Sequence, residues 1–159
     1  MVAPKMMLAL VVVMLSICVV LTAANDPWVG TWKLNLAKSK YTGVQGPKSN
    51  INIFEPVSGG GMKVTVRIVG AEGKENSTER IEIYDGIPHP MEGAGPGGTA
   101  VSVKRIDPYT VEGDQLANGK VSFHFIRTVS KDGKTMTVKV KGTLALGQTY
   151  DEIRVFDKQ

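Results

Sequence analysis

From Trp28 to the C-terminus the chain alternates apolar and polar residues with a period of two, and a chain so patterned cannot fold as a helical bundle. Met62, Val64, Val66 and Ile68 interleave with Lys63, Thr65 and Arg67. Met136, Val138 and Val140 interleave with Thr135, Thr137, Lys139 and Lys141. Ile81 and Ile83 alternate with Arg80, Glu82 and Tyr84, and Val121, Phe123 and Phe125 alternate with Ser122 and His124. Successive side chains of a strand point to opposite faces. Each segment therefore suits an antiparallel sheet that is dry on one face and wet on the other, with the apolar members expected on the dry face.

The punctuation between segments agrees. Asn118-Gly119 and Asp132-Gly133 are hairpin signals, because both residue types tolerate positive φ. Ser58-Gly59-Gly60-Gly61 and Glu72-Gly73-Lys74 can also reverse the chain. The pattern predicts strands near 28–34, 49–57, 61–69, 77–85, 99–106, 109–115, 119–130, 134–142 and 148–156. No helical pattern of ten residues exists; Leu36 to Lys40 suits a single turn at most, and 36–50 and 86–98 read as the two long loops. Consecutive hairpin-linked strands leave exposed edges unless the sheet closes on itself. The expected fold is therefore all-β: an antiparallel up-and-down barrel or strongly curved sheet of about 8–10 strands, with a sandwich as the alternative. No internal repeat or second domain is visible.

The segment before this pattern is different in kind. Lys5 precedes an apolar run from Leu8 to Leu21 whose only polar member is Ser16, and Thr22-Ala23-Ala24 follows. A basic start, a short apolar run and small residues describe a secretory signal peptide over residues 1–24 and a mature domain over 25–159. The run is shorter than the roughly 20 residues a membrane-spanning helix needs, so no stable membrane span is expected after processing. Ile17 before Cys18 does not suit lipid attachment. A secreted or periplasmic location follows.

Composition narrows the chemistry. The chain has 159 residues, one Cys and two His. Cys18 would leave with the leader, so the mature domain would hold no disulfide, and no multi-Cys or His-rich metal centre can be built. The net charge of +4 falls to +3 with the loss of Lys5 and is spread along the chain, unlike a nucleic-acid-binding face. No nucleophile–base–orienter set suggests an enzyme, no cofactor is implied, and a monomer is expected.

Gly30-Thr31-Trp32 opens the mature domain, and a Gly-x-Trp on a first strand resembles the calycins, the lipocalins and fatty-acid-binding proteins, in which the Trp closes one end of a barrel. The stretch Gly30-Thr31-Trp32-Lys33-Leu34-Asn35-Leu36-Ala37-Lys38-Ser39-Lys40 also resembles a group of secreted bacterial lipocalin-like proteins. Asp132 to Lys139, followed by Ile153-Arg154-Val155-Phe156-Asp157-Lys158, is similar to the last hairpin of a fatty-acid-binding protein, where an Arg-x-Tyr pair binds a ligand carboxylate. The resemblance implies a small apolar or amphipathic ligand held in the barrel. It places Arg154 at the carboxylate, with Phe156 where the Tyr would stand. Residues 35–50 are too rich in Gly, Pro and Ser for the helical lid of that family.

Candidate site residues follow from parity and resemblance together. Arg154 shares a strand face with Tyr150, Glu152 and Phe156. Facing inward, it would need Glu152 or an anionic head group as partner; facing outward, it would leave Ile153 and Val155 on the core side. Arg127 has the parity of Phe123 and Phe125 and is a second inward candidate. Trp28, Trp32 and Gly30 read as structural, closing the barrel. Gly93 to Gly98 matches a dinucleotide fingerprint as text, but a strand-like segment follows it and Pro96 removes an amide, so it reads as a loop. Asp85, His89 and Glu92 are near neighbours in a Pro-bounded loop, Glu112 and Asp114 share one strand face, and His124 reads as outward or satisfied. Two functions are compatible with these residues: an exported ligand-binding barrel, or an exported structural or interaction domain whose barrel is filled by its own side chains. Interior volume separates them.

Overall fold

A computed structural model describes residues 26–92, 100–144 and 147–159. The expected leader and the Gly93 to Gly98 segment lie outside these residues. Nine strands stand where alternation predicts them: β1 (Gly30–Leu34), β3 (Ser49–Pro56), β4 (Met62–Val69), β5 (Glu75–Glu82), β7 (Ala100–Asp107), β8 (Thr110–Ala117), β9 (Lys120–Val129), β10 (Thr135–Thr143) and β11 (Thr149–Lys158). Two more occupy stretches expected as loops. β2 (Lys40–Thr42) pairs with β11, and β6 (His89–Pro90) pairs with β7. Both are too short to show a period in sequence. Leu36–Lys38 forms one 3-10 turn, with the Asn35 side chain accepting from the Lys38 N–H. Among the described residues no helix is long and apolar enough to cross a membrane.

The strands follow one antiparallel path, β5-β4-β3-β1-β11-β10-β9-β8-β7-β6. Its two ends meet. Glu79 of β5 and Glu92 exchange backbone hydrogen bonds of 3.1 and 3.0 Å, Asp85 bridges Lys104 of β7, and the Gly86 N–H donates to the Val103 carbonyl at 2.9 Å. The result is a nearly closed up-and-down barrel and not a sandwich, and closure gives the edge strands partners.

One end of the barrel is sealed by aromatic packing. Trp28 and Trp32 are fully buried. The Trp32 Nε1–H donates to the Trp28 carbonyl at 2.9 Å, and the Trp28 Nε1–H donates to the Pro108 carbonyl at 3.0 Å, tying the chain's entry to the β7–β8 turn. Asp26 accepts from both terminal nitrogens of Arg105 at 3.1 Å. Lys158 lies over the Trp32 ring, its ammonium 5.0 Å from the centroid. Gly30 makes that possible: its φ is +128°, and a Cβ there would stand 2.9 Å from Lys158 Cε. Phe54, Met62, Val64, Val111, Val129 and Met136 complete this core.

Two strands depart from the expected facing. In β5 it is Thr78, Arg80 and Glu82 that point inward, while Ile81 and Ile83 are 40% and 43% exposed. The cause is register. Val64 pairs with Arg80 and Met62 with Glu82, and directly opposed residues share a face. Burying Met62 and Val64 therefore brings Arg80 and Glu82 inside, and a one-residue slip would expose β4 instead. In β9, Val121 is exposed although Phe125 is buried. A register shift between Gln115 and Leu116 pairs Gln115 with Phe123 and Leu116 with Val121, which skips Ser122 and breaks the alternation.

Candidate functional site

Above the tryptophan end the barrel encloses a cavity of about 750 Å³. It runs toward the opposite end, where Ala117, Thr143 and Leu144 line it beside the chain reversal at 118–119 and the end of β10. Val66, Ile68, Phe123, Phe125, Val138 and Val140 supply apolar wall. This is the inner face that the alternation of β4, β9 and β10 builds.

Arg154, Phe156, Arg127 and Tyr150 all line this cavity. Even-numbered residues of β11 face in, so the outward alternative for Arg154, with Ile153 and Val155 in the core, does not hold. Val138 pairs with Arg127 on one side and with Arg154 on the other, which sets both guanidinium-bearing residues in one cross-strand row. Trp32 and Gly30 belong to the sealed end.

Each arginine has an internal partner. The Arg154 Nε–H donates to Glu152 Oε2 at 2.5 Å, and Glu152 is buried. Arg127 donates to Glu82 Oε2 at 2.7 Å, while Arg80 donates through Nε and a terminal nitrogen to Glu82 Oε1 at 3.0 and 2.7 Å. The Arg127 guanidinium also sits 5.0 Å from the Phe54 ring centroid, 5.3 Å from Phe125 and 5.5 Å from Trp28. Its Nε is buried without a hydrogen-bond partner. Burial pushes the Glu82 carboxyl upward, but Arg127 and Arg80 outweigh it and hold the group below the usual carboxylate range. Burial raises Tyr150 and Tyr41, which stay protonated beside the Arg154–Glu152 pair. Three guanidiniums thus meet two carboxylates, leaving one net positive charge on this part of the inner wall.

Arg80, Glu82, Asn50 and Asn52 belong to the site but were not singled out in the sequence. Arg80 and Glu82 carried a signal: the turn at 70–74 places Val64 opposite Arg80, so the polar side of β5 must share the face of the valines. The asparagines carried none beyond alternation with Ile51 and Ile53.

The other sequence candidates lie elsewhere. His89 Nε2 contacts both Asp85 carboxylate oxygens, at 3.0 and 3.2 Å, while Glu92 is bound through its backbone to Glu79. His124 points outward and pairs with Asp114 at 2.9 Å, which leaves Glu112 and Asp114 on the outer face. Among the described residues no group of three His, Cys, Asp or Glu side chains is placed to hold a metal ion.

Solved structures share this architecture. A point mutant of the fluorescent protein UnaG is 14% identical, with a TM-score of 0.55 over 84% of this chain and 97% of that one. Wild-type UnaG is 15% identical, with a TM-score of 0.51 over 83% and 97%. Zebrafish ileal bile acid-binding protein, complexed with cholic acid, is 10% identical, with a TM-score of 0.50 over 84% and 99%. No family model matches the chain, and no curated protein matches it in sequence. At such identities the likeness is one of fold, an antiparallel up-and-down barrel.

Proposed function

We propose that this protein is an exported carrier that binds a small, mostly apolar or amphipathic molecule inside its barrel. The cavity carries the reading: about 750 Å³ lies within the range of small-molecule sites, and apolar walls with a few convergent polar groups are what such sites present. A barrel filled by its own side chains would leave no such space. Each 100 Å² of apolar ligand surface removed from water contributes about 2.5 kcal/mol. That a bile acid-binding barrel of the same fold holds cholic acid supports the reading. The basic start, short apolar run and small residues over 1–24 support the compartment, and protein recovered outside the cytoplasm should begin near Asn25, with no lipid on Cys18.

The net positive charge on the wall favours an acidic end on the ligand. Arg154 is the accessible member, its side chain 26% exposed, with Glu152 as internal competitor; Arg127 lies in the same row, and Tyr150 and Phe156 supply apolar contact. A ligand carboxylate can take two parallel hydrogen bonds from a guanidinium. Titration of a fluorescent long-chain fatty acid and of its methyl ester tests this. The acid should bind tighter, and Arg154→Leu should erase the difference. Equal affinity in the wild type refutes the carboxylate role, and no binding of either, with no ligand retained in native mass spectrometry, refutes the carrier reading.

A further inference from the structure

We infer that the floor of the cavity is an anion site, formed by Arg80 and Arg127 around Glu82, which holds one singly charged anion. The site is separate from the Arg154–Glu152 pair, and it stands whether or not the barrel carries an organic guest.

All fifteen Asp and Glu residues of the chain lie among the described residues, and of these only Glu82 and Glu152 are buried. Arg80, Arg127 and Arg154 line the main cavity, and among the described residues no carboxylate does. Arg154 donates to Glu152, which makes one pair of opposite charges. The surplus cation therefore falls at Glu82. Arg80 donates to one oxygen of that carboxylate and Arg127 to the other, each at 2.7 Å. The two guanidiniums keep Glu82 ionised, yet its one negative charge balances only one of them.

Two like charges are thus fixed a single carboxylate apart, in surroundings that screen them far less than water does. The rings of Trp28, Phe54 and Phe125 around Arg127 stabilise a cation but bring no negative charge. The Arg80 and Arg127 side chains are 12% and 5% exposed, and both belong to the cavity wall, so an anion in the cavity reaches them. A buried charge without a counter-ion is costly, and the chain supplies no second one here. The surplus of one selects the guest: a cation would add to it, and a dianion would reverse it. Chloride fits, and so does the carboxylate of a molecule that enters the barrel acid first, since both accept hydrogen bonds from guanidinium nitrogens.

The test is the width of the chloride NMR line when sodium chloride is added to the processed protein, stripped of lipid. Chloride held by a protein relaxes faster than free chloride, so a bound fraction in exchange broadens the line. The wild type should show a saturable broadening above the linear background of its surface lysines. Arg80→Met leaves Arg127 and Glu82 as a balanced pair and should lose the saturable part. Arg80→Lys keeps the charge and should retain it. Both variants lose the two-point bond to Glu82, so the contrast between them separates charge from a folding defect. No saturable broadening in the wild type, equal broadening in wild type and Arg80→Met, or its loss in Arg80→Lys as well, overturns the site. Octadecanoic acid and its methyl ester then tell the two occupants apart. Displacement of chloride by the acid but not by the ester assigns the site to the guest's own carboxylate, and chloride that persists with the acid bound assigns it to a free anion; both uphold the site. If neither acid nor ester binds, the carrier reading fails, and the chloride titration still decides the anion site.

Discussion

Replacing Glu82 by glutamine isolates the buried charge cluster with almost no change of shape. The wild-type carboxylate accepts three hydrogen bonds, from two guanidiniums, at 2.7, 3.0 and 2.7 Å. A glutamine amide offers one acceptor oxygen, and its NH₂ turns a donor toward an arginine donor. Arg127, 4% exposed, then keeps its charge inside the barrel without an anion. Breaking a buried pair from one side costs about 3–5 kcal/mol. The three aromatic rings around Arg127 remain and offset part of this, so a loss of about 3 kcal/mol is expected, a large share of the roughly 5–15 kcal/mol that holds a domain folded. Urea unfolding followed by the fluorescence of buried Trp28 and Trp32 reads it directly. With a slope of about 1–3 kcal/mol per M, the midpoint should fall by about 1–3 M at unchanged slope. Converting the whole triad, Glu82→Leu with Arg127→Met and Arg80→Met, should recover most of the loss, since apolar replacement of a complete buried ionic group is often neutral. The same carboxylate predicts a pH limb. Its pKa is lower folded than unfolded, so its stabilisation is complete above the unfolded value of about 4.3 and is lost as pH falls through the folded one. The glutamine variant should lack that limb. A loss below about 1 kcal/mol, or an unchanged acid limb, would refute the reasoning.

Trp32→Ala should cost about 3–5 kcal/mol in denaturant melts, because a fully buried indole and its bond to the Trp28 carbonyl are both lost; a loss under about 1 kcal/mol would mean that it does not seal the barrel. Gly142→Val places a Cβ 2.6 Å from the Tyr150 ring, which must swing away at a cost of about 1–3 kcal/mol in a thermal melt; an unchanged melting temperature would place the ring elsewhere. In an NMR titration, Asp85 should stay below the ordinary carboxylate range even in His89→Ala, since the Ile87 N–H, 2.8 Å away, is the leading cause of its lowering and His89 a lesser one; a return to the ordinary value would reverse that order.

Strand formation was legible in the sequence because it is local. Alternation over eight or nine residues and glycine-bearing reversals delimit β4 and β10 without reference to the rest of the chain, and so many hairpins in succession point to closure. That Arg127 shares the parity of Phe123 and Phe125, and Arg154 that of Phe156, was readable for the same reason, but which face of β11 turns inward was left open by the sequence, and the sealed end at Gly30-Thr31-Trp32 was expected from the resemblance. What tertiary structure decided is everything that depends on a partner strand. Ile81 and Ile83 point outward because β5 takes its facing from Met62 and Val64 and not from its own hydrophobicity. Val121 is displaced by a shift in a ladder it shares with Leu116. Arg127 finds Glu82 across 45 positions only once the sheet has curled. The cavity is set by curvature and closure, and the same alternating residues would line a solid barrel or a hollow one. Side-chain order along a strand is a property of the backbone, whereas register, enclosure and the pairing of buried charges are properties of how the strands meet.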